Sequence, residues 1–145
     1  MRIERVTHID ESLVSAFRRL MPQLTGRQFY PSFEELEKVI ASEETHLFVA
    51  TEEDEVIGTL TLLFYQIPSG WKAWIEDVIV DQEARGKGVG TALMWHSMKI
   101  ARRKGAEKVD LTSHPSREAA NRLYQKMGFR LRGSNVYRYE FDSNE

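Results

Sequence analysis

The stretch from Trp74 to Thr91 constrains the fold more than any other part of the chain. Its first seven residues, Trp74-Ile75-Glu76-Asp77-Val78-Ile79-Val80, are rich in β-branched and aromatic side chains and read as a strand. Asp81 to Ala84 follows as a short turn. Arg85-Gly86-Lys87-Gly88-Val89-Gly90-Thr91 then opens a helical pattern, with glycine at every second position. A strand, a glycine turn and a helix start, in that order, build a site for phosphates. Glycine adopts positive φ and lets a ligand approach the backbone closely. The first helical amides lack partners within the helix, and the helix dipole favours negative charge before them. Arg85 and Lys87 add positive charge. No G-x-x-x-x-G-K-[ST] string occurs, and the glycines run G-x-G-x-G rather than G-x-G-x-x-G. The turn also lies at mid-chain, whereas a dinucleotide fold places its own near the start. A plain glycine turn capping a helix is the alternative reading.

The remaining pattern mixes helices and strands. Arg2 to Val6 alternates as a first strand. Glu11 to Met21 places Leu13, Val14, Phe17 and Leu20 on one helical face, with Asp10 or Ser12 placed to cap it. Pro22 to Pro31 reads as a loop carrying Gln23, Arg27, Phe29 and Tyr30, and Phe33 to Ala41 as a second helix. Aromatics in such a loop either line a substrate cleft or staple the loop to the core. Leu47–Thr51, Val56–Tyr65 and Trp71–Val80 form an antiparallel meander, with the acidic run Glu52 to Glu55 as a solvated turn. A helix from Val89 to about Lys104 leads to a strand at Lys108–Thr112. A helical crossover makes that strand parallel to Trp74–Val80. Pro115 opens a last helix to about Met127. Phe129–Leu131 and Asn135–Phe141 read as closing strands, and Asp142 to Glu145 as a loose tail.

The length of 145 residues suits one domain, 1–145. A net charge of −2 gives no electrostatic reason to expect nucleic acid or an anionic membrane as partner. With no cysteine there is no thiolate nucleophile and no thiolate metal site, and no metal is expected. The charged start, Met1-Arg2-Ile3-Glu4-Arg5, lacks the apolar core of a signal peptide, and no apolar run is long enough to span a bilayer. A cytoplasmic protein is the default. The aromatic-rich C-terminal strand offers an edge through which a homodimer would pair.

Two motifs carry a family resemblance. Arg85-x-x-Gly88-x-Gly90 resembles the [QR]-x-x-G-x-[GA] signature of the GNAT N-acetyltransferase superfamily, and Ala120 to Phe129, within Glu118–Phe129, resembles that family's A-x-x-[LF]-Y-x-x-x-G-F pattern. The order of elements matches as well. The resemblance implies an α/β (α+β) fold with a mixed, mostly antiparallel sheet of about seven strands, a central parallel pair and about four flanking helices. It implies acetyl-CoA as cosubstrate, with the pyrophosphate in the loop Arg85, Gly86, Lys87, Gly88, Val89, Gly90 and Thr91. It further implies that the parallel strands part, often beside a bulge. The pantetheine arm would then pair with Val78, Ile79 and Val80 and reach Asn121.

The implied reaction is acetyl transfer to a primary amine, whether a small molecule or a peptide. An amine with a pKa near ~10 arrives protonated and needs a base. Glu76 is the candidate, because the family often carries a carboxylate there. In a regular strand Asp77 points to the opposite face, and a bulge would reverse that assignment. Backbone N–H groups on the central strand suit the oxyanion. The thiolate leaving group needs an acid, and Tyr124 occupies the position of the family's usual one. Two other readings stand beside this: a non-catalytic acetyl-CoA-binding or sensing domain of the same fold, and a small α/β interaction module whose loop holds another anion.

Overall fold

The computed structural model describes residues 1–143; Asn144 and Glu145, the end of the tail expected to be loose, lie outside the described residues. Backbone contacts divide the chain into two compact units, Met1–Thr112 and the residues from Ser113 onward. The first unit runs β1 (Arg2–Arg5), α1 (Glu11–Thr25), α2 (Phe33–Ala41), β2 (Thr45–Glu52), β3 (Glu55–Ile67), β4 (Gly70–Val80), a 3₁₀ turn (Gln82–Ala84), α3 (Val89–Arg103) and β5 (Val109–Leu111). The five strands lie in sequence order in one sheet. Every pairing is antiparallel except β4 with β5, which is parallel as the crossover rule requires.

The sheet is covered on both faces, so β2 is buried from His46 to Ala50 instead of alternating. Leu47 and Val49 pack with Leu13, Val14, Phe17 and Leu36 from α1 and α2. On the other face Phe48 meets the His96 ring of α3, with centroids 4.9 Å apart. Gly58 makes α3's approach possible. A Cβ there would lie 3.0 Å from Val89 Cγ1 and 3.1 Å from the Ile79 carbonyl oxygen, so this glycine seats the helix start against the sheet. The β2–β3 hairpin turns on Glu53 and Asp54 at φ 52° and 63°, the left-handed pair of a two-residue type I′ turn. The acidic run is therefore turn chemistry.

His46 is buried beside Phe48 and Phe64, 6% exposed, with its ring edge-on to Phe64 at 5.4 Å and no hydrogen-bond partner for Nε2. Burial, with Arg5 and Lys104 nearby, lowers its pKa to about 4. Between about 6.5 and 4 the unfolded chain takes up this proton and the folded chain does not, so stability falls as pH falls through that window. By pH 5 the loss is expected to reach about 2 kcal/mol. Urea unfolding of the wild type against His46→Phe checks it: the wild type should lose this increment between pH 7.5 and 5, and the variant should not.

Three expectations need correction. α1 continues through Pro22 to Thr25. The proline forfeits one amide, but its fixed φ suits a helix, and Gly26 closes the last turn with its N–H on the Pro22 carbonyl oxygen at 2.8 Å. In the second unit, α4 starts at Glu118 and runs to Met127, later than Pro115. His114 holds a turn there: its carbonyl oxygen accepts from Arg117 N at 3.0 Å, and its Nδ1 from Ser116 N at 3.0 Å. Finally, Phe129–Leu131 and Asn135–Phe141 are not strands, so the described residues hold five strands and not about seven. Leu131 is 94% exposed and Tyr137 88%, and no ladder takes these residues in. Alternation marks a segment that suits a strand, but a strand exists only where a neighbour accepts its hydrogen bonds. The strand edge expected to carry a homodimer is absent with them.

Candidate active site

The ladder between β3 and β4 slips by one residue. Thr59 pairs with Ile79, while Thr61 pairs with Glu76, so β4 carries one residue too many. That bulge contains Asp77, at φ 51°. Aspartate is one of the few non-glycine residues that tolerate this region. Opposed residues share a sheet face, so Glu76 lies on the face of Thr61. The extra residue brings Asp77 to that face as well, where it lines a cavity together with Thr59 and Thr61. The regular-strand expectation, with Asp77 turned away from Glu76, is thereby corrected.

This cavity has a volume of about 380 Å³. α1 contributes Phe17 and Met21, the following loop Phe29 and Pro31, and α2 Glu35, Leu36, Lys38 and Val39. The loop aromatic Phe29 thus lines a cleft, while Tyr30 lies under the Arg18 guanidinium at 5.0 Å. Asp77 stands at the wall, its tip open to the cavity, and the protein packed around its carboxyl raises its pKa by desolvation.

The parallel ladder between β4 and β5 is short and ends next to the bulge. Their ladder runs Ala73↔Val109, Trp74↔Asp110, Ile75↔Leu111 and stops, while β4 continues to Val80 against β3. The glycine turn follows at once. Gly86 and Gly88 stand at φ 79° and 81°, and Gly88 is the N-cap of α3 with no side chain to bond the first amides. A Cβ built on either glycine meets nothing within 4 Å, so both glycines border open space. Lys87 is exposed, Val89 is buried as the helix anchor, and Gly90 and Thr91 form the first turn. Arg85 donates through Nε to the Val80 carbonyl oxygen at 3.4 Å.

Sequence reasoning missed the clamp that holds this turn. Asp81, 6% exposed, accepts from Arg19 Nε at 3.0 Å and from Glu83 N at 3.2 Å. Gln23 donates to Asp81 at 3.4 Å, and its Oε1 accepts from Gln82 N at 2.9 Å. Burial alone would raise the Asp81 carboxyl; the Glu83 amide, Arg19 and Gln23 outweigh it and hold the pKa below the ordinary value. Arg19 and Gln23 are four apart on α1, and Asp81 begins an Asp-x-Glu turn, which is the signal that the sequence contained. The extra helical turn past Pro22 is what brings Gln23 into place.

In the second unit Tyr124 is 6% exposed and tilts against Phe129 at 6.0 Å. Desolvation raises its pKa and Arg117 opposes the shift, so the phenol keeps its proton throughout the physiological range. Asn121 donates through Nδ2 to the carbonyl oxygens of His114 (2.9 Å) and Arg117 (2.8 Å), bracing the turn before α4. Among the described residues, no group of three or more His, Asp or Glu is placed to hold a metal ion. No helix there is long and apolar enough to cross a membrane.

Over residues 10–129 the chain matches the family model described as acetyltransferase (GNAT) family. It is 28% identical over 100 residues to N-alpha-acetyltransferase 30 of Schizosaccharomyces pombe, covering 68% of this chain and 65% of that protein. Over 89 residues it is 36% identical to glucosamine 6-phosphate N-acetyltransferase of Trypanosoma brucei brucei, covering 59% and 58%. The chain thus spans somewhat under two-thirds of the length of these relatives. In fold it is similar to the aminoglycoside acetyltransferase meta-AAC0020 from an uncultured soil metagenomic sample, at TM-score 0.85 and 23% identity, covering 98% of this chain and 96% of that one.

Proposed function

The chain belongs to the acetyltransferase (GNAT) family, and from that premise we propose that it moves an acetyl group from acetyl-CoA to a primary amine by direct attack on the thioester. The observation that carries the reading is the Asp77 bulge just past the end of the β4–β5 ladder, with the glycine turn at the end of the same strand. Acetyl-CoA supplies the activated acyl group. The open amides before α3, with Arg85 and Lys87, take the pyrophosphate, and the backbone of Val78–Val80 takes the pantetheine arm. We assign Asp77 as the base at the acceptor cavity, with Glu76 beside it on the same face. Desolvation raises the Asp77 pKa, the direction that makes a carboxylate a better base. Tyr124, kept protonated by burial, is assigned as the acid for the thiolate. Asn121 positions the start of α4, and residues 1–145 act as one transferase domain.

The reaction balances. The C–N bond forms and the C–S bond breaks; of the two protons that the ammonium group loses, one leaves through Asp77 to solvent and one ends on sulfur. The relatives' names point to an α-amino group or glucosamine 6-phosphate as acceptor, and both belong in the trial panel. Titration calorimetry with acetyl-CoA, with adenosine diphosphate as control, tests the cosubstrate assignment, and thiol release with a panel of amines tests transfer. Binding with no release for any amine would leave a non-catalytic acetyl-CoA-binding domain. Gly88→Val is expected to weaken acetyl-CoA binding at least about tenfold. A β-branched residue at φ 81° is strained, and that strain falls on the cap that presents the first amides of α3. Undiminished affinity in a folded variant would refute the loop assignment.

A further inference from the structure

We propose that the acceptor is a primary amine carried on a compact apolar body of about the size of a phenylethyl group, seated in the cavity between α1, α2 and the sheet with its nitrogen at Asp77. The proposal rests on the transferase reading above and narrows it to a substrate class. Seven of the twelve lining residues are apolar, and the volume of about 380 Å³ is that of a site for one small molecule.

The charges decide what kind of molecule suits it. Glu35 and Lys38 are three apart on α2, on one helix face, where their charges offset one another. Glu35 is held ionised first by the Ser32 amide, which donates to Oε1 at 3.0 Å, then by the Ser32 hydroxyl and by Lys38. Asp77 remains as the uncompensated charge of the lining, on the wall opposite the helices. A phosphate or carboxylate on the acceptor would find Lys38 as the one cation among the described lining residues, already facing Glu35. A polyamine would need several spaced carboxylates. A polyol would need several hydroxyl partners, and of the two lining hydroxyls that of Thr59 is committed to the Phe48 carbonyl oxygen at 2.8 Å, which leaves Thr61. An ammonium group on an apolar body leaves none of these groups unsatisfied: the charge meets Asp77 and the body meets the apolar wall. Phe29, 53% exposed yet lining the cavity, offers aromatic surface to such a body.

The test compares phenylethylamine, spermidine, glucosamine 6-phosphate, aminoethylphosphonate and a short peptide by thiol release, with calorimetric binding of phenylethylamine to the CoA-loaded protein as a second readout. The expected result is a kcat/KM for phenylethylamine at least tenfold above every other amine. Phe29→Ala should raise its KM about tenfold and leave the KM for acetyl-CoA unchanged. Preference for a phosphorylated, polycationic or peptide amine would overturn this inference and leave the transferase reading intact. Should no amine release thiol, binding of phenylethylamine that Phe29→Ala weakens would support the inference and count against the transferase reading. Absence of that binding would overturn the inference.

Discussion

Replacing Asp77 by asparagine is expected to lower turnover about 100- to 1,000-fold, with the affinity for acetyl-CoA held within about twofold. Asparagine is the right replacement because it keeps the shape and tolerates φ 51°, so the bulge survives. It removes a carboxyl that desolvation already makes costly to ionise, so the variant should be no less stable than the wild type at pH 7. The pH profile supplies the second readout. A base must be deprotonated to act, so kcat/KM in the wild type falls as pH falls through the raised pKa of Asp77. The asparagine variant should lose that acid limb. Glu76→Gln, altering the neighbour on the same face, is expected to cost no more than about fivefold. The reverse outcome, with Glu76→Gln crippling and Asp77→Asn mild, would move the base to Glu76.

The bulge that raises this choice was illegible in the sequence for a physical reason. Whether β4 carries an extra residue depends on its register against β3, at Thr59 and Thr61, which lie fifteen and more positions upstream. Local pattern contains no such term. Where the determinants are local, the sequence was readable to the residue. α2 starts at Phe33 because Ser32 and Glu35 form a capping box, and the glycine turn ends in α3 because Gly88 alone can take the left-handed cap. Conflicts between local and tertiary terms fell in between. Pro22 argued for a helix end, yet Gln23's two bonds to Asp81 and Gln82 reward one more turn. Tyr137, Tyr139 and Phe141 argued for a strand, yet the sheet extends no ladder to them. The acceptor cavity, assembled from two helices, a loop and three strands, has no sequence signature beyond the aromatics between α1 and α2.

Tyr124→Phe is expected to lower kcat about 100-fold and to leave acetyl-CoA binding within about twofold. The substitution keeps the ring, its burial and its contact with Phe129, so a residue that merely packed would show almost no change in rate. Chemistry gives a sharper separation than rate alone. An alkyl thiol has a pKa near ~8.5 and leaves more readily with a proton donor. An acetyl donor built on a much more acidic aryl thiol needs no such help. The phenylalanine variant should therefore recover most of the wild-type rate with the aryl donor and little of it with acetyl-CoA. The pH dependence points the same way. Desolvation lifts the phenol above its ordinary value of 10.0 against the pull of Arg117, so the wild type keeps its acid through neutral and mildly alkaline solution. Any alkaline limb that belongs to Tyr124 therefore lies above pH 10 and disappears in the variant. Equal losses with both donors would assign the effect to packing around α4 and take the acid role away from Tyr124.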